Sequence, residues 1–236
     1  LGQPARDLVV KPGEFGLVII SPGLDEHWPL PKKFTDAGVP LVGETEFAFN
    51  LTNMAMAAIT GTNGKSTCTE LIAAMFNGCG FKSIPCGNHG MSLSEVVASG
   101  ARYDVLALEI SSFQLETIQN FRAKDFGQAG LFQGIQLSRQ AGTVSPVAAQ
   151  QFLDRSADSP LANRFLAVYL RESGKAQRWT FSAYGDKAEY TYADGHFFHE
   201  GQRFGSASGL KLRGKHNMEN VLAALMTGRV FGLSRT

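Results

Sequence analysis

The sequence is short of cysteine, of charge bias and of long apolar runs, and each shortage removes a class of protein. Three cysteines (Cys68, Cys79, Cys86) stand in 236 residues. An odd number without metal-ligand spacing argues against a disulfide framework or a structural zinc, and for a reduced, cytoplasmic setting. Lys and Arg total 22 against 21 Asp and Glu, giving a net charge of +1 with the cations dispersed. Nothing in that pattern forms an electrostatic footprint for nucleic acid or an anionic membrane. No apolar stretch approaches the ~20 residues of a membrane span, and the N-terminus has no basic-then-apolar signal. The first residue is Leu1 rather than Met, so a piece of a longer chain is expected.

What is present is enough apolar content, 44%, to bury a sizeable core. One stretch organises the chain: Ile59-Thr60-Gly61-Thr62-Asn63-Gly64-Lys65-Ser66-Thr67. An apolar run from Met54 to Ile59 leads into it, and a helical pattern of Leu71, Ile72, Met75 and Phe76 leads out. Strand, glycine-rich turn and helix are the context of a phosphate-binding loop. Successive N–H groups curl around anionic oxygens while the helix N-terminus adds its partial positive charge. Lys65 is placed to reach the β- and γ-phosphates of a nucleotide such as ATP, and the Ser66 hydroxyl to ligate Mg²⁺. The spacing is shorter than G-x-x-x-x-G-K-[ST], whose first glycine would fall on Ile59. A plain glycine turn accounts for Gly61 and Gly64, but not for the Lys-Ser-Thr that follows.

Ahead of the loop, residues 1–52 read as part of a small α/β unit. Gly16 to Ile20 is a buried-strand run, Lys32 to Ala37 a short helix and Val39 to Val42 a second strand. Ser21-Pro22-Gly23 is either a simple turn or a set of N–H groups at a strand's carboxyl end. A second domain begins near residue 53. Ser92 to Glu95 has capping-box spacing and predicts a helix through Ala98. Val105 to Leu108 is a buried strand closed by Glu109, where a nucleotide site keeps a further metal contact. Ser159-Pro160 is a helix-starting pair, and Leu161, Phe165, Val168 and Tyr169 fall on one helical face with Gly174 as the stop. Ser145-Pro146 is a second such pair. Residues 178–204 alternate like strands, with Asp194-Gly195 as a hairpin turn. His196 and His199 lack partners in ligand spacing and read as hairpin surface residues. A last helix starts near Asn217 with Met218, Val221, Leu222 and Leu225 toward the core.

Read together, Gly61-Thr62-Asn63-Gly64-Lys65-Ser66-Thr67, Gly87-Asn88-His89-Gly90 and Leu108-Glu109-Ile110-Ser111-Ser112-Phe113-Gln114-Leu115-Glu116 resemble the Mur ligases. The segment from Leu212 to Asn220 is similar to that family's late central-domain motif, and Ser21-Pro22-Gly23 and Gly43-Glu44-Thr45-Glu46 also fit. The resemblance covers roughly residues 8–122 and 178–231. Within the family, Ser111 to Glu116 resembles the ligase that adds D-glutamate to UDP-N-acetylmuramoyl-L-alanine. It implies an α/β fold, with a truncated Rossmann-like N-terminal domain (1–52) ahead of a phosphate-loop central domain with a parallel sheet (53–236).

The resemblance also implies a site. Gly61, Thr62, Asn63, Gly64, Lys65, Ser66 and Thr67 would hold ATP, with Lys65 as the catalytic cation and Ser66 and Glu109 on Mg²⁺. Asn217 and Asn220 would lie on the adenine and ribose side. Ser21, Gly23, Asn88, Ser111 and Gln114 would lie along the path of the muramoyl substrate. The implied chemistry is attack of a substrate carboxylate on the γ-phosphorus, then displacement of phosphate from the acyl phosphate by the D-glutamate amine. Two anions must meet, so the site needs positive charge and positioning more than a nucleophile. A monomer is expected.

Residues 123–177 depart from the family. There is no lysine from Asp125 to Gly174 and no histidine between His89 and His196. The family's second-metal histidine and carbamylated lysine therefore have no assignable equivalents. The family's amino-acid-binding third domain is expected to be absent, since the chain stops at Thr236. Three readings follow: a ligase present as a partial chain, inactive or nearly so in isolation; a non-catalytic nucleotide- or UDP-precursor-binding remnant; and a generic phosphotransferase. The last lacks a base near the loop.

Overall fold

The computed structural model describes residues 7–22, 24, 28–60, 63–111, 114, 117–118, 129–133, 165–170 and 175–233. The chain opens with β1 (Val18–Ile20), α1 (Pro29–Asp36) and β2 (Leu41–Gly43). Pro at the first helical turn starts α1, where its missing N–H costs nothing. β1 and β2 pair in parallel, Val18 opposite Leu41 and Ile20 opposite Gly43. The expected strand–helix–strand order is there, with β2 two residues later than the apolar pattern suggested. α2 (Glu44–Asn50) begins directly at the end of β2, with Glu44 and Glu46 in the first turn, where carboxylates favour the helix dipole.

The second unit is built on β3 (Ala55–Ile59), α3 (Lys65–Gly78), β4 (Ser83–Gly87), α4 (Leu93–Ala98) and β5 (Val105–Glu109). The N-cap half of the predicted capping box is realised: the Ser92 hydroxyl accepts the Glu95 N–H at 3.2 Å. After β5 come β6 (Ala129–Gln133), β7 (Phe165–Leu170), β8 (Lys175–Ser182), β9 (Tyr190–Ala193), β10 (His196–His199), β11 (Gln202–Ser206) and α5 (Lys215–Val230). The described strands of this unit form one nine-stranded sheet in the order β11-β10-β9-β8-β7-β6-β3-β5-β4. The block β6-β3-β5-β4 is parallel throughout.

The helix predicted from Ser159-Pro160 is a correction where it falls on described residues. Phe165–Leu170 is strand β7, antiparallel to both β6 and β8. The run Phe-Leu-Ala-Val-Tyr-Leu is apolar, aromatic and β-branched, and it is six residues long. A run that short has no periodicity that separates strand from helix, and available neighbours for backbone pairing decide it. Ser145 and Pro146 lie outside the described residues. The hairpin turn is confirmed: Asp194 and Gly195 have φ of +48° and +79°, the left-handed pair of a two-residue turn.

Two apolar layers sandwich the parallel block. On one face Ala57, Ile59, Val105 and Ala107 pack with Ile72 and Phe76 of α3 and Met218 and Leu222 of α5. On the other, Met56, Ala58, Leu106 and Leu108 pack with Phe49 of α2 and Leu93 and Val96 of α4. Strand alternation distributes these side chains, so a continuous apolar run serves both faces. β3 lies between β5 and β6, so the connections depart on both sides of it. A crevice opens at the carboxyl ends of strands at such a switch point.

Candidate functional site

The loop after β3 runs into α3 at that crevice. Gly61 and Thr62 lie outside the described residues. Gly64, immediately before α3, has φ of +80°, a conformation that glycine adopts without a Cβ penalty. It is also a close-approach position: a Cβ there would lie 2.3 Å from Asn220 Oδ1. Asn220, buried on α5, therefore rests its amide on the phosphate loop. Its Nδ2 donates to Asn217 Oδ1 at 3.5 Å, and Asn217 Nδ2 donates to the Arg213 carbonyl at 2.8 Å. Of the two asparagines expected near the nucleotide, helix packing brings Asn220 against Gly64, and Asn217 is linked to it one turn earlier on α5. Lys65 opens α3, Thr67 sits in its first turn, and Asn63 is exposed ahead of it.

An oxygen cluster faces the loop. Ser66 Oγ donates to Glu109 Oε2 at 2.7 Å, and Asn88 Nδ2 donates to Glu109 Oε1 at 2.9 Å. The backbone repeats the link, since the Asn88 N–H donates to the Glu109 carbonyl at 2.9 Å. Gly87 makes this approach possible: its φ is +97°, and a Cβ would lie 2.3 Å from the Glu109 carbonyl oxygen. Glu109 is 2% exposed, whereas Ser66 and Asn88 are open to solvent. The strand pairing fixes this arrangement, because Ile59 and Glu109 are register partners at the ends of β3 and β5.

A hydroxyl and a carboxylate oxygen within hydrogen-bond distance are hard donors of the kind Mg²⁺ takes. That ion commonly uses one or two protein oxygens and completes its shell with water and phosphate. The donor set fits Mg²⁺. Among the described residues no group of three or more His, Cys, Asp and Glu gathers as a closed metal centre. His196 and His199 lie on β10, where His199 stacks on Tyr190 with ring centroids 4.4 Å apart.

The residues expected along the substrate path divide between two places. Asn88 is at the oxygen cluster. Ser21, Thr45, Gln114 and Thr117 line a narrow cleft where the ends of β1 and β2 meet the segment after β5. Gly23 lies outside the described residues. Gln114 is 3% exposed and internally engaged. Its Oε1 accepts the Ser111 N–H at 2.8 Å, and its Nε2 donates to Thr45 Oγ1 at 2.8 Å. Thr45 is a lining residue of this cleft that the residue pattern missed, its segment having entered only through the resemblance. A polar residue at the start of a helix that follows a strand without a loop was the available signal. A larger cavity of about 500 Å³ lies between the β9–β11 ribbon and the start of α5. None of the expected residues lines it, and it faces the Met218 side of α5 rather than the Asn220 side.

Cys86, at the end of β4, holds its proton strongly. Burial, reinforced by the nearby Glu44 carboxylate, pushes the thiol up to about 12. It is therefore no nucleophile at neutral pH.

Fold and site together define a phosphate-loop α/β domain, with an acidic residue on the strand beside the loop. No family model matches the chain. The chain is 36% identical over 228 residues to the UDP-N-acetylmuramoylalanine–D-glutamate ligase of Trichlorobacter lovleyi, covering 93% of this chain and 51% of that protein. It is 30% identical over 243 residues to the ligase of the same name from Alkaliphilus metalliredigens, with 99% and 53% covered. For the Lactococcus lactis subsp. lactis protein of that name the identity is 30% over 224 residues, with 93% and 50% covered. The chain thus spans about half the length of the curated relatives it matches. A solved structure of UDP-N-acetylmuramoyl-L-alanyl-D-glutamate–2,6-diaminopimelate ligase aligns with a TM-score of 0.48 at 17% identity, over 98% of this chain and 59% of that one. Over nearly its own whole length, the chain is thus similar in sequence to ligases of the Mur family.

Proposed function

We propose that this chain carries the nucleotide site of an ATP-dependent amide ligase. The reaction would join D-glutamate to UDP-N-acetylmuramoyl-L-alanine in the cytoplasm, for peptidoglycan precursor synthesis, with the protein acting as a monomer. The observation that carries the reading is the Ser66–Glu109 pair at the mouth of the Gly61–Ser66 loop. A bland strand-to-helix turn has no use for a buried carboxylate aimed at its first helical hydroxyl. Similarity to ligases named for both substrates supports the choice of reaction. Among the described residues no helix is long and apolar enough to cross a membrane.

In this reading residues 1–52 belong to a unit that binds the UDP substrate and residues 53–236 to a unit that binds ATP. Ser21 and Gln114 line the cleft between the ends of β1 and β2 and the segment after β5. The loop N–H groups and Lys65 neutralise the terminal phosphates, so that an anionic carboxylate can approach. Ser66 and Glu109 would hold Mg²⁺, which supplies charge neutralisation of the phosphate oxygens when bound. Asn88 fixes the Glu109 carboxylate through one oxygen and leaves the other directed at Ser66. Asn217 and Asn220 support the loop from α5 and face the base side of the nucleotide.

The test is calorimetric titration of a non-hydrolysable Mg·ATP analogue into the chain, with Lys65→Ala as the control. Binding that Lys65→Ala weakens at least tenfold is the expected outcome, since a charge-assisted contact to phosphate contributes about 1.5–3 kcal/mol. Absence of binding by the unmutated chain overturns the nucleotide-site reading.

A further inference from the structure

We propose that Thr45 is a positioning residue for the oxygen cluster, acting through Gln114 on the carboxyl end of β5. The proposal rests on the nucleotide-site reading for its consequence, and on hydrogen bonds alone for its geometry. Ser111, two residues beyond Glu109, gives its N–H to Gln114 Oε1 at 2.8 Å, and the Gln114 N–H returns to Ser111 Oγ at 3.3 Å. Gln114 Nε2 then donates to Thr45 Oγ1 across 69 residues of sequence. Thr45 Oγ1 in turn donates to Glu44 Oε2 at 3.3 Å, and Glu44 Oε1 accepts the Ser94 N–H in the first turn of α4 at 2.7 Å.

The chain of bonds thus runs from the end of β5, through the first turn of α2, to the first turn of α4. Its middle is dry. Thr45 is 2% exposed and Gln114 3%, so water has little access to replace a lost partner, and an orphaned amide there would move to find another. The backbone around Glu109 is held at three successive points. Ile110 N–H donates to the Ile59 carbonyl at 2.8 Å, Asn88 N–H to the Glu109 carbonyl at 2.9 Å, and Ser111 N–H to Gln114. The first two bonds come from the sheet and the loop after β4. The third depends on Thr45, a residue of the other unit. Among the described residues Thr45 has no hydrogen bond to the loop or to the cluster; it fixes where Glu109 points by holding the residue that clamps Ser111.

Two readouts test this on the chain as it stands. The first is titration of the non-hydrolysable ATP analogue with and without Mg²⁺ into the parent chain, Thr45→Val and Thr45→Ser. Valine keeps the shape and removes the hydroxyl, whereas serine restores it. The expected result is a roughly fivefold loss of the Mg²⁺-dependent gain in affinity for Thr45→Val, the size of one net hydrogen bond. Metal-free affinity should be unchanged, and Thr45→Ser should recover. Retention of the full Mg²⁺ gain, or an equal loss with and without metal, overturns the proposal. The second readout is amide hydrogen exchange over residues 105–111, which needs no nucleotide. Faster exchange there in Thr45→Val, with the amides of β4 unchanged, is expected; unchanged exchange over 105–111 overturns the bracing. If the parent chain binds no nucleotide, the nucleotide-site reading falls and the exchange result alone decides the role of Thr45.

Discussion

Gly64→Ala perturbs the loop at the point where two requirements coincide. The first is backbone conformation. At φ of +80° an alanine stands in the left-handed region, at a cost of about 1–2 kcal/mol. The second is space, since the new Cβ would fall 2.3 Å from Asn220 Oδ1. That oxygen belongs to a short side chain on a helix, and Asn220 is only 7% exposed. It can withdraw by leaving its rotamer, at about 0.5–1.5 kcal/mol. The sum is a destabilisation of roughly 1.5–3.5 kcal/mol, and for a chain of this length each kcal/mol lowers the midpoint by roughly 2–4 °C. Urea unfolding of the parent, Gly64→Ala, Asn220→Ala and the double variant separates the two parts. In the Asn220→Ala background the penalty of Gly64→Ala should fall to the backbone part alone, about 1–2 kcal/mol. An equal penalty in both backgrounds would refute the close approach. No penalty in either would refute the backbone argument as well.

Glu109→Gln removes the charge but keeps the shape. It should abolish most of the Mg²⁺-dependent gain in nucleotide affinity, tenfold or more for a lost charged ligand, while leaving metal-free affinity within about twofold; calorimetry with EDTA as the second arm reads both. The cysteines give a prediction at high pH. Folded Cys86 keeps its proton to about 12 against an ordinary 9.0, so the unfolded chain ionises first as pH rises. The stability contributed below about pH 9 is therefore lost progressively between 9 and 12, and the urea midpoint of Cys86→Ala should fall less steeply over that range than the parent's. In native buffer at pH 8, iodoacetamide should label the exposed Cys79 and spare the buried Cys86 and Cys68, as peptide mass spectrometry would show.

The elements legible in the sequence were those whose cause is local. The left-handed turn at Gly64 into α3, the Ser92 cap and the Asp194-Gly195 turn each owe their geometry to residues within a few positions of one another. Glu109 was legible because it ends an apolar run, and strand pairing then needed only to set it beside Ile59. The Asn220–Gly64 approach and the Thr45–Gln114 bond were not legible as contacts. Their partners are far apart in sequence and meet only once the helices have packed. β7 failed for another reason. Its six residues satisfy helix and strand patterns alike, and the pairing with β6 and β8 that settles the matter is itself non-local.

These long-range contacts have a common origin in the strand order, which makes the loop depend on three separate layers. Because β5 lies beside β3, the acid that closes β5 meets the first turn of α3 across 43 residues of sequence. α5 arrives after the whole β-ribbon and packs on the same face as α3, and that packing places Asn220 against Gly64. α2 packs on the opposite face with α4, and from there Thr45 reaches the segment after β5 through Gln114. The sheet thus supplies the acid, one helical layer the support of the loop, and the other the hold on the acid's backbone. On the proposed nucleotide-site reading, phosphate affinity would in consequence be a property of the assembled sandwich rather than of the loop motif. Substitutions at Asn220 or Thr45, neither of them a loop residue, should alter it.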